Sequence, residues 1–282
     1  VYSVSPASSE ERPHLSVVVP AYNEACRLER PLRMISDHLA SRPYSAEIVL
    51  VDDGSEDGTF ELVSGLAKEL KVPVRAFRYR PNRGKGHALK VGFSRARGDR
   101  VLFTDADLAT PIQQLDALNE AIDLGYDIAI GSRKEAGADI RVHQPWYRER
   151  MGKVFTWLVR SFLADVSDAT CGFKMFRGDI GRSLFAQLRI DDWAFDAELL
   201  LLARRGGHRI REVPVRWEDQ PGTKVRLFRD AWRSACGLLK IVCNDRRGLY
   251  DAANEVKVQL EVWPPEDVRV PDEAGPKEAL GS

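Results

Sequence analysis

The chain has 282 residues, 44% of them hydrophobic, with 42 Lys plus Arg balanced by 42 Asp plus Glu. That apolar share suffices for one large core or two small ones, and a formal net charge of zero gives no footprint for nucleic acid, so no nucleic-acid partner is expected. The four cysteines (Cys26, Cys171, Cys236, Cys243) form no C-x-x-C pair and the five histidines no metal-ligand spacing, which reads as reduced thiols in a cytosolic setting.

Residues 1–14 read as an N-terminal arm without the basic-then-apolar layout of a signal peptide. From Leu15 the chain alternates. "LSVVVPAY" (15–22) is apolar on successive residues, as a strand covered on both faces should be. "PLRMISDHLA" follows as a helix, then "AEIVLVDDGS" (46–55) as a second buried strand, with Asp57 capping the helix "TFELVSGLAKEL". "VRAFRY" and the helix "GHALKVGFSRA" come next, then the strand "DRVLFTDAD" and the helix "PIQQLDALNEAIDLG", with Pro111 in its first turn. "YDIAIGSR" closes the series. Such alternation predicts an α/β fold with a mostly parallel central sheet and helices on both faces.

The second half is less regular. "PWYRERMGKVFTWLVRSFLAD" reads as a helix with apolar and basic faces. "DATCGFKMF" precedes a helix "WAFDAELLLLARRGG", a strand "HRIREVPVRWED", a loop "QPGTKV" and a basic-aromatic helix "LFRDAWRSACGLLKIV". Residues 15–243 are expected to form a single domain and 244–282 a loosely ordered, Pro-rich acidic tail. No apolar run approaches the roughly 18 residues of a spanning helix, so the chain is not expected to cross a membrane by itself.

In open α/β sheets ligands bind beyond the carboxyl ends of the strands, and the polar clusters fall there: "AYNE", "DDGSEDG", "NRGKG", "DAD" and "GSRKE". Asp105 and Asp107, at i and i+2 of an extended segment, would point to one side and make a concentrated negative site for a hard dication. A pair of solvated aspartates is the plainer alternative. Asp52 and Asp53 suit a base N–H or a ribose hydroxyl, or else an Asp-Gly turn. Lys85 lies in a Gly-rich loop before a helix, a reasonable anion cradle that is not a Walker A loop. Arg133 suits a phosphate, and Asp168, Asp196 and Glu198 suit positioning or base work. Lys224 lies in a Gly-containing loop able to close over a diphosphate. Each of these also reads as an ordinary surface or capping residue. The basic-aromatic segments 145–163 and 226–243 suit a peripheral membrane contact, or helices packed with their charges in water.

Taken in order, "VVVPAYNEACRL", "IVLVDDGSEDGT", "NRGKGHALKVGF", "FTDADLATP", "IAIGSR", "DATCGFKMF", "FDAELLLLARRGG" and "EVPVRWED" resemble family 2 inverting glycosyltransferases, nearest to the polyprenyl-phosphate branch of dolichyl-phosphate glucosyl- and mannosyltransferases. The resemblance spans about 15–242. It implies a GT-A fold with a single catalytic domain, a nucleotide-diphosphate sugar donor (UDP-glucose favoured over GDP-mannose), a polyprenyl-phosphate acceptor and Mg²⁺ or Mn²⁺. By resemblance, Pro20, Tyr22 and Glu24 line the nucleoside pocket and Asp52 faces the base, with Asp53 beside it. Lys85 approaches the donor, Asp105 and Asp107 hold the metal, Arg133 meets the acceptor phosphate and Lys224 meets the donor diphosphate. Many relatives carry spanning helices; none is visible here, so the expected location is cytoplasmic, with peripheral contact to the cytoplasmic face of a membrane.

A phosphate monoester, with a second pKa of about 6, is mostly a dianion near neutrality and attacks without a base. Asp168 is then an orienting residue. A hydroxyl acceptor would need a carboxylate base, and this soluble-enzyme alternative stays open. A nucleotide-sugar pyrophosphorylase would show a Gly-rich signature where this chain has "PAYNEA". A non-catalytic module would have no call for Asp105, Asp107, Lys85 and Arg133 together.

Overall fold

A computed structural model describes residues 12–142, 166–192, 194–218, 227–250 and 261–263. The expected strands form at Leu15–Ala21 (β1), Ala46–Asp52 (β2), Val74–Arg78 (β3), Arg100–Thr104 (β4) and Ile128–Ser132 (β5). The helices between them are Glu29–Ala40 (α1), Thr59–Leu66 (α2), Lys85–Arg95 (α3) and Leu115–Asp123 (α4), the last entered through a 3-10 turn at Ile112–Gln114 that follows Pro111. Beyond them lie Asp139–Val142 (β6), Phe173–Arg177 (β7), Gly178–Gln187 (α5), Phe195–Arg205 (α6), Ile210–Pro214 (β8), Arg216–Glu218 (β9), Leu227–Arg246 (α7) and Glu261–Trp263 (β10).

The main sheet runs β10-β3-β2-β1-β4-β7-β5-β8, and β6 pairs with β9 in a second, two-stranded sheet. Pairing is parallel except where β7 inserts antiparallel between β4 and β5, and where β10 runs antiparallel to β3. Strand alternation divides the core into two layers. Val17, Val19, Ile48, Leu50 and Leu102 pack with α1, α2 and α4, whereas Val18, Val49, Val51, Val101 and Phe103 pack with α3, α5 and α6. Both alternating sets are fully buried, each side chain worth roughly 1.5–3 kcal/mol. This is why the strands read as continuous apolar runs and why helices cover both faces.

Several expectations need correction. The fourth strand stops at Thr104, and Asp105–Leu108 form a tight turn closed by Leu108 N–H to Asp105 O at 3.2 Å. The two aspartates therefore do not share the side of an extended segment. "HRIREVPVRWED" is split between β8 and β9, in different sheets. The cap of α2 is Gly58, with φ +85°, while Asp57 accepts from the Thr59 N–H at 3.1 Å. α7 runs past the expected boundary at 243 to Arg246, Tyr250 is buried, and Glu261–Trp263 extend the sheet edge, while 251–260 and 264–282 lie outside the described residues. Among the described residues no helix is long and apolar enough to cross a membrane.

Candidate active site

The strand order reverses between β1 and β4, with β2 on one side of β1 and β4 on the other. The crevice at that switch point is where the carboxyl ends of β1, β2 and β4 open. β5 runs parallel to β4 across the antiparallel β7, so Arg133 leaves at the same edge. Because β7 is reversed, its first residue, Phe173, pairs with Thr104, and the segment 168–172 arrives beside the acidic turn.

Beyond β1, Pro20 is half-buried and Tyr22 is 38% exposed. Glu24 is buried and held in a fork by Arg27, whose Nη2 donates to Oε1 at 2.8 Å. Asp52 is fully buried at the end of β2. Its Oδ1 accepts from the Ser55 N–H at 3.0 Å and from the Ser55 hydroxyl, while Oδ2 has no hydrogen-bond partner among the described residues. Burial lifts its pKa against the pull of Ser55. A buried acceptor left open this way is costly unless something donates to it.

Asp53 differs from expectation. Oδ1 accepts from Tyr79 OH at 2.8 Å and Arg83 N–H at 2.7 Å, and Oδ2 from Asn82 Nδ2 at 2.8 Å and Gly84 N–H at 2.9 Å. Four donors occupy the carboxylate, so Asp53 fixes the loop that leads to Lys85.

Lys85 opens α3, and its Nζ lies 2.5 Å from Asp105 Oδ1. Asp107 gives Oδ1 to the Ala109 N–H at 3.1 Å. Burial first, and then the neighbouring Asp105, raise the Asp107 pKa, while Arg27 and Lys85 oppose the rise. No group of three or more His, Cys, Asp or Glu able to hold a metal exists among the described residues. Two carboxylates with no soft ligand suit Mg²⁺ or Mn²⁺, which takes its remaining oxygens from phosphate and water.

The turn is backed by Gly172. A Cβ there would lie 1.9 Å from Asp105 Oδ2. Gly172→Ala is therefore expected to push the carboxylate aside and cut activity about 100-fold, the scale of an ångström's misplacement, with little loss of fold. Activity and thermal unfolding of that variant check this; wild-type turnover would contradict it.

Arg133 and Asp168 meet, as a locked pair. Arg133 Nε and Nη2 fork onto the two Asp168 oxygens, both at 2.7 Å, and the Arg133 N–H adds a third bond at 2.9 Å. Nη2 also reaches Thr170 Oγ1 at 2.9 Å, and the guanidinium lies 5.4 Å from the Trp217 ring. Burial alone would lift Asp168, but Arg133 holds its pKa below the ordinary carboxylate value.

The three candidate bases are buried and already bonded. Asp168 and Glu198 are 0% exposed and Asp196 is 4% exposed. Glu198 accepts from Arg189 N–H, Ile190 N–H and Tyr250 OH, at 3.0, 2.8 and 2.6 Å. Asp196 accepts from the buried Lys174 at 2.6 Å. Arg27, Gly172 and Lys174 lie within the motifs "VVVPAYNEACRL" and "DATCGFKMF" but carry no role in the sequence reading, and only the fold shows which carboxylates they meet. Lys224 and the segment 145–163 lie outside the described residues.

The family model for glycosyl transferase family 2 matches residues 16–185. The chain is 37% identical over 245 residues to dolichyl-phosphate beta-glucosyltransferase of Drosophila melanogaster, covering 81% of this chain and 74% of that protein. It is 34% identical over 262 residues to the enzyme of the same name from Saccharomyces cerevisiae, covering 86% and 78%. In fold it resembles glucosyl-3-phosphoglycerate synthase from Mycobacterium tuberculosis, crystallised with Mn²⁺, UDP and glucosyl-3-phosphoglycerate, with a TM-score of 0.58 and 19% identity over 81% of this chain and 80% of that one.

Proposed function

The chain belongs to glycosyltransferase family 2, and from that premise we propose that it moves a hexose, glucose by preference, from a nucleoside-diphosphate sugar to a polyprenyl phosphate of the dolichyl type. The observation that carries this reading is the 37% identity with a dolichyl-phosphate beta-glucosyltransferase across 81% of the chain.

The residues support a direct displacement. Asp52, with Oδ2 open and buried at the end of β2, is suited to accept from a base N–H. Asp105 and Asp107 would hold Mg²⁺ or Mn²⁺, which supplies Lewis-acid neutralisation of the charge that gathers on a leaving diphosphate. Arg133, its fork fixed by Asp168, has its charge set in one place to steer an acceptor phosphate. The phosphate oxygen forms the new bond to the anomeric carbon while the bond to the diphosphate breaks, and the nucleoside diphosphate leaves. An α-linked donor therefore gives a β-linked product. The phosphate dianion needs no base, in keeping with the burial of Asp168, Asp196 and Glu198.

The test offers labelled UDP-glucose and GDP-mannose with Mn²⁺ to a short polyprenyl phosphate, a simple glycoside and a glycan. Organic-extractable glucosyl phospholipid from UDP-glucose is expected; transfer only to hydroxyl acceptors would reject the reading.

A polyprenyl phosphate resides in a bilayer, so the reading includes peripheral docking through α7. Leu239 on that helix is 69% exposed, and Lys240 beside it is exposed too. The protein is expected to sediment with anionic vesicles at low salt and to release as salt screens the attraction, with Leu239→Glu weakening retention. No retention at low salt would end the docking proposal.

A further inference from the structure

Lys85 is a cation seated on a carboxylate that the proposed reaction assigns to a metal. Its side chain is 15% exposed and that of Asp105 is 37% exposed, with 2.5 Å between Nζ and Oδ1. Burial works against the ammonium, but Asp105 first and Asp196 next outweigh it and keep Lys85 charged. Asp196 belongs to a deeper ion pair. Its Oδ1 accepts from Lys174 Nζ at 2.6 Å, and the fully buried Lys174 also donates to the Cys171 carbonyl at 2.6 Å. The Phe103 ring lies 5.8 Å from Lys85 Nζ and 5.2 Å from Lys174 Nζ, and Phe195, adjacent to Asp196 in the chain, lies 5.9 Å from Lys85 Nζ. The ammonium is thus paired with a part-exposed carboxylate and lies within the electrostatic reach of a buried one anchored by a second lysine.

An ammonium and a dication on one carboxylate compete for the same negative charge, and each repels the other at such short range. We propose that Lys85 is a built-in competitor for the metal seat on Asp105, and that the Asp196–Lys174 pair is the counter-charge that receives it when a dication arrives. The inference rests on the reading of Asp105 as a metal ligand. Without ligand, Lys85 relieves the repulsion among Asp105, Asp107 and Asp196. A bare dication must displace it and so binds weakly. A dication arriving with a diphosphate brings negative oxygens that the displaced ammonium can face, which ties metal loading to donor loading.

The experiment measures Mn²⁺ binding by electron paramagnetic resonance in the absence of nucleotide, with no turnover involved. It compares wild type, Lys85→Met, Asp196→Asn and the double variant, each checked as folded by thermal unfolding. Lys85→Met is expected to bind Mn²⁺ about tenfold more tightly, the order expected when a neighbouring unit charge is removed from a partly buried site. Asp196→Asn is expected to bind it more weakly, and that loss is expected to vanish once Lys85 is absent. A merely structural role would not move the two variants in opposite directions. Folded Lys85→Met binding Mn²⁺ no more tightly than wild type would overturn the proposal, as would an Asp196→Asn effect that persists without Lys85. Should Asp196→Asn fail to fold, the Lys85→Met comparison decides. Wild type that takes up no Mn²⁺ even with saturating UDP would remove the metal reading itself, a failure distinct from that of the Lys85 proposal.

Discussion

Asp107→Asn is expected to reduce transfer by about 10²–10³-fold, the usual loss when one preorganised stabiliser of transition-state charge is removed, while raising the melting temperature of the ligand-free protein. The two effects share a cause. Burial and the nearby Asp105 make the charged form of Asp107 unfavourable in the folded state, so a neutral isostere folds better at neutral pH. The one hydrogen bond that Asp107 is seen to accept, from Ala109 N–H at 3.1 Å, is kept by the asparagine oxygen. In the wild type Arg27 and Lys85 offset part of the Asp107 charge, and a dication held at the mouth of β4, as proposed, would offset the rest. Turnover numbers and thermal unfolding of the purified variant check both halves. A variant as active as wild type, or one with a lowered melting temperature, would contradict the argument.

The second large effect concerns Arg133. Its fork is what keeps the fully buried Asp168 ionised. Arg133→Met removes the partner and leaves a buried charge uncompensated, a loss of about 3–5 kcal/mol. For a domain of this size that corresponds to a fall in melting temperature of roughly 6–20 °C. Adding Asp168→Leu to the same variant is expected to recover part of the loss, since a paired set of apolar residues carries no stranded charge. The pH dependence has a definite sign. Asp168 ionises more readily folded than unfolded, its pKa lying below the ordinary 3.8. The pair's stabilisation is therefore complete above the unfolded value and is lost as pH falls through the folded one. Wild type and Asp168→Asn should converge in stability only in strong acid. A pH-independent gap between them would show that the pair is not what stabilises this corner.

Much of this was legible in the residues, for physical reasons that can be named. Strands buried on both faces have to be apolar at successive positions, so "LSVVV" and "EIVLV" declare themselves, and polar clusters after them mark the crevice edge. The insertion of β7 is different. "FKMFR" is a short strand with a lysine in its middle, and Lys174 is fully buried there because Asp196, 22 residues on, neutralises it. No local pattern announces a buried lysine whose partner comes from another helix. The role of Asp53 was hidden in the same way. Its four donors come from residues 79–84, and whether "VDDGS" offers one aspartate or two to a ligand depends on how that loop folds back. The acidic turn shows a third limit. Positions i and i+2 share a side only while the chain stays extended, and here the hydrogen bond from Leu108 N–H to Asp105 O ends the strand one residue too soon.

The burial of Glu198 was equally unreadable, because Tyr250 lies 52 residues away, in a stretch whose composition suggested a loose tail. Together with Arg189 Nε donating to the Leu249 carbonyl at 2.8 Å, that contact makes residues 249 and 250 part of the packed domain.

The most direct test of the central claim is anomalous diffraction from a crystal grown with UDP and Mn²⁺. The account predicts a manganese peak bound by the Asp105–Asp107 turn and shared with the diphosphate oxygens. UDP seated in the crevice with manganese absent from that turn, or bound only elsewhere, would contradict it.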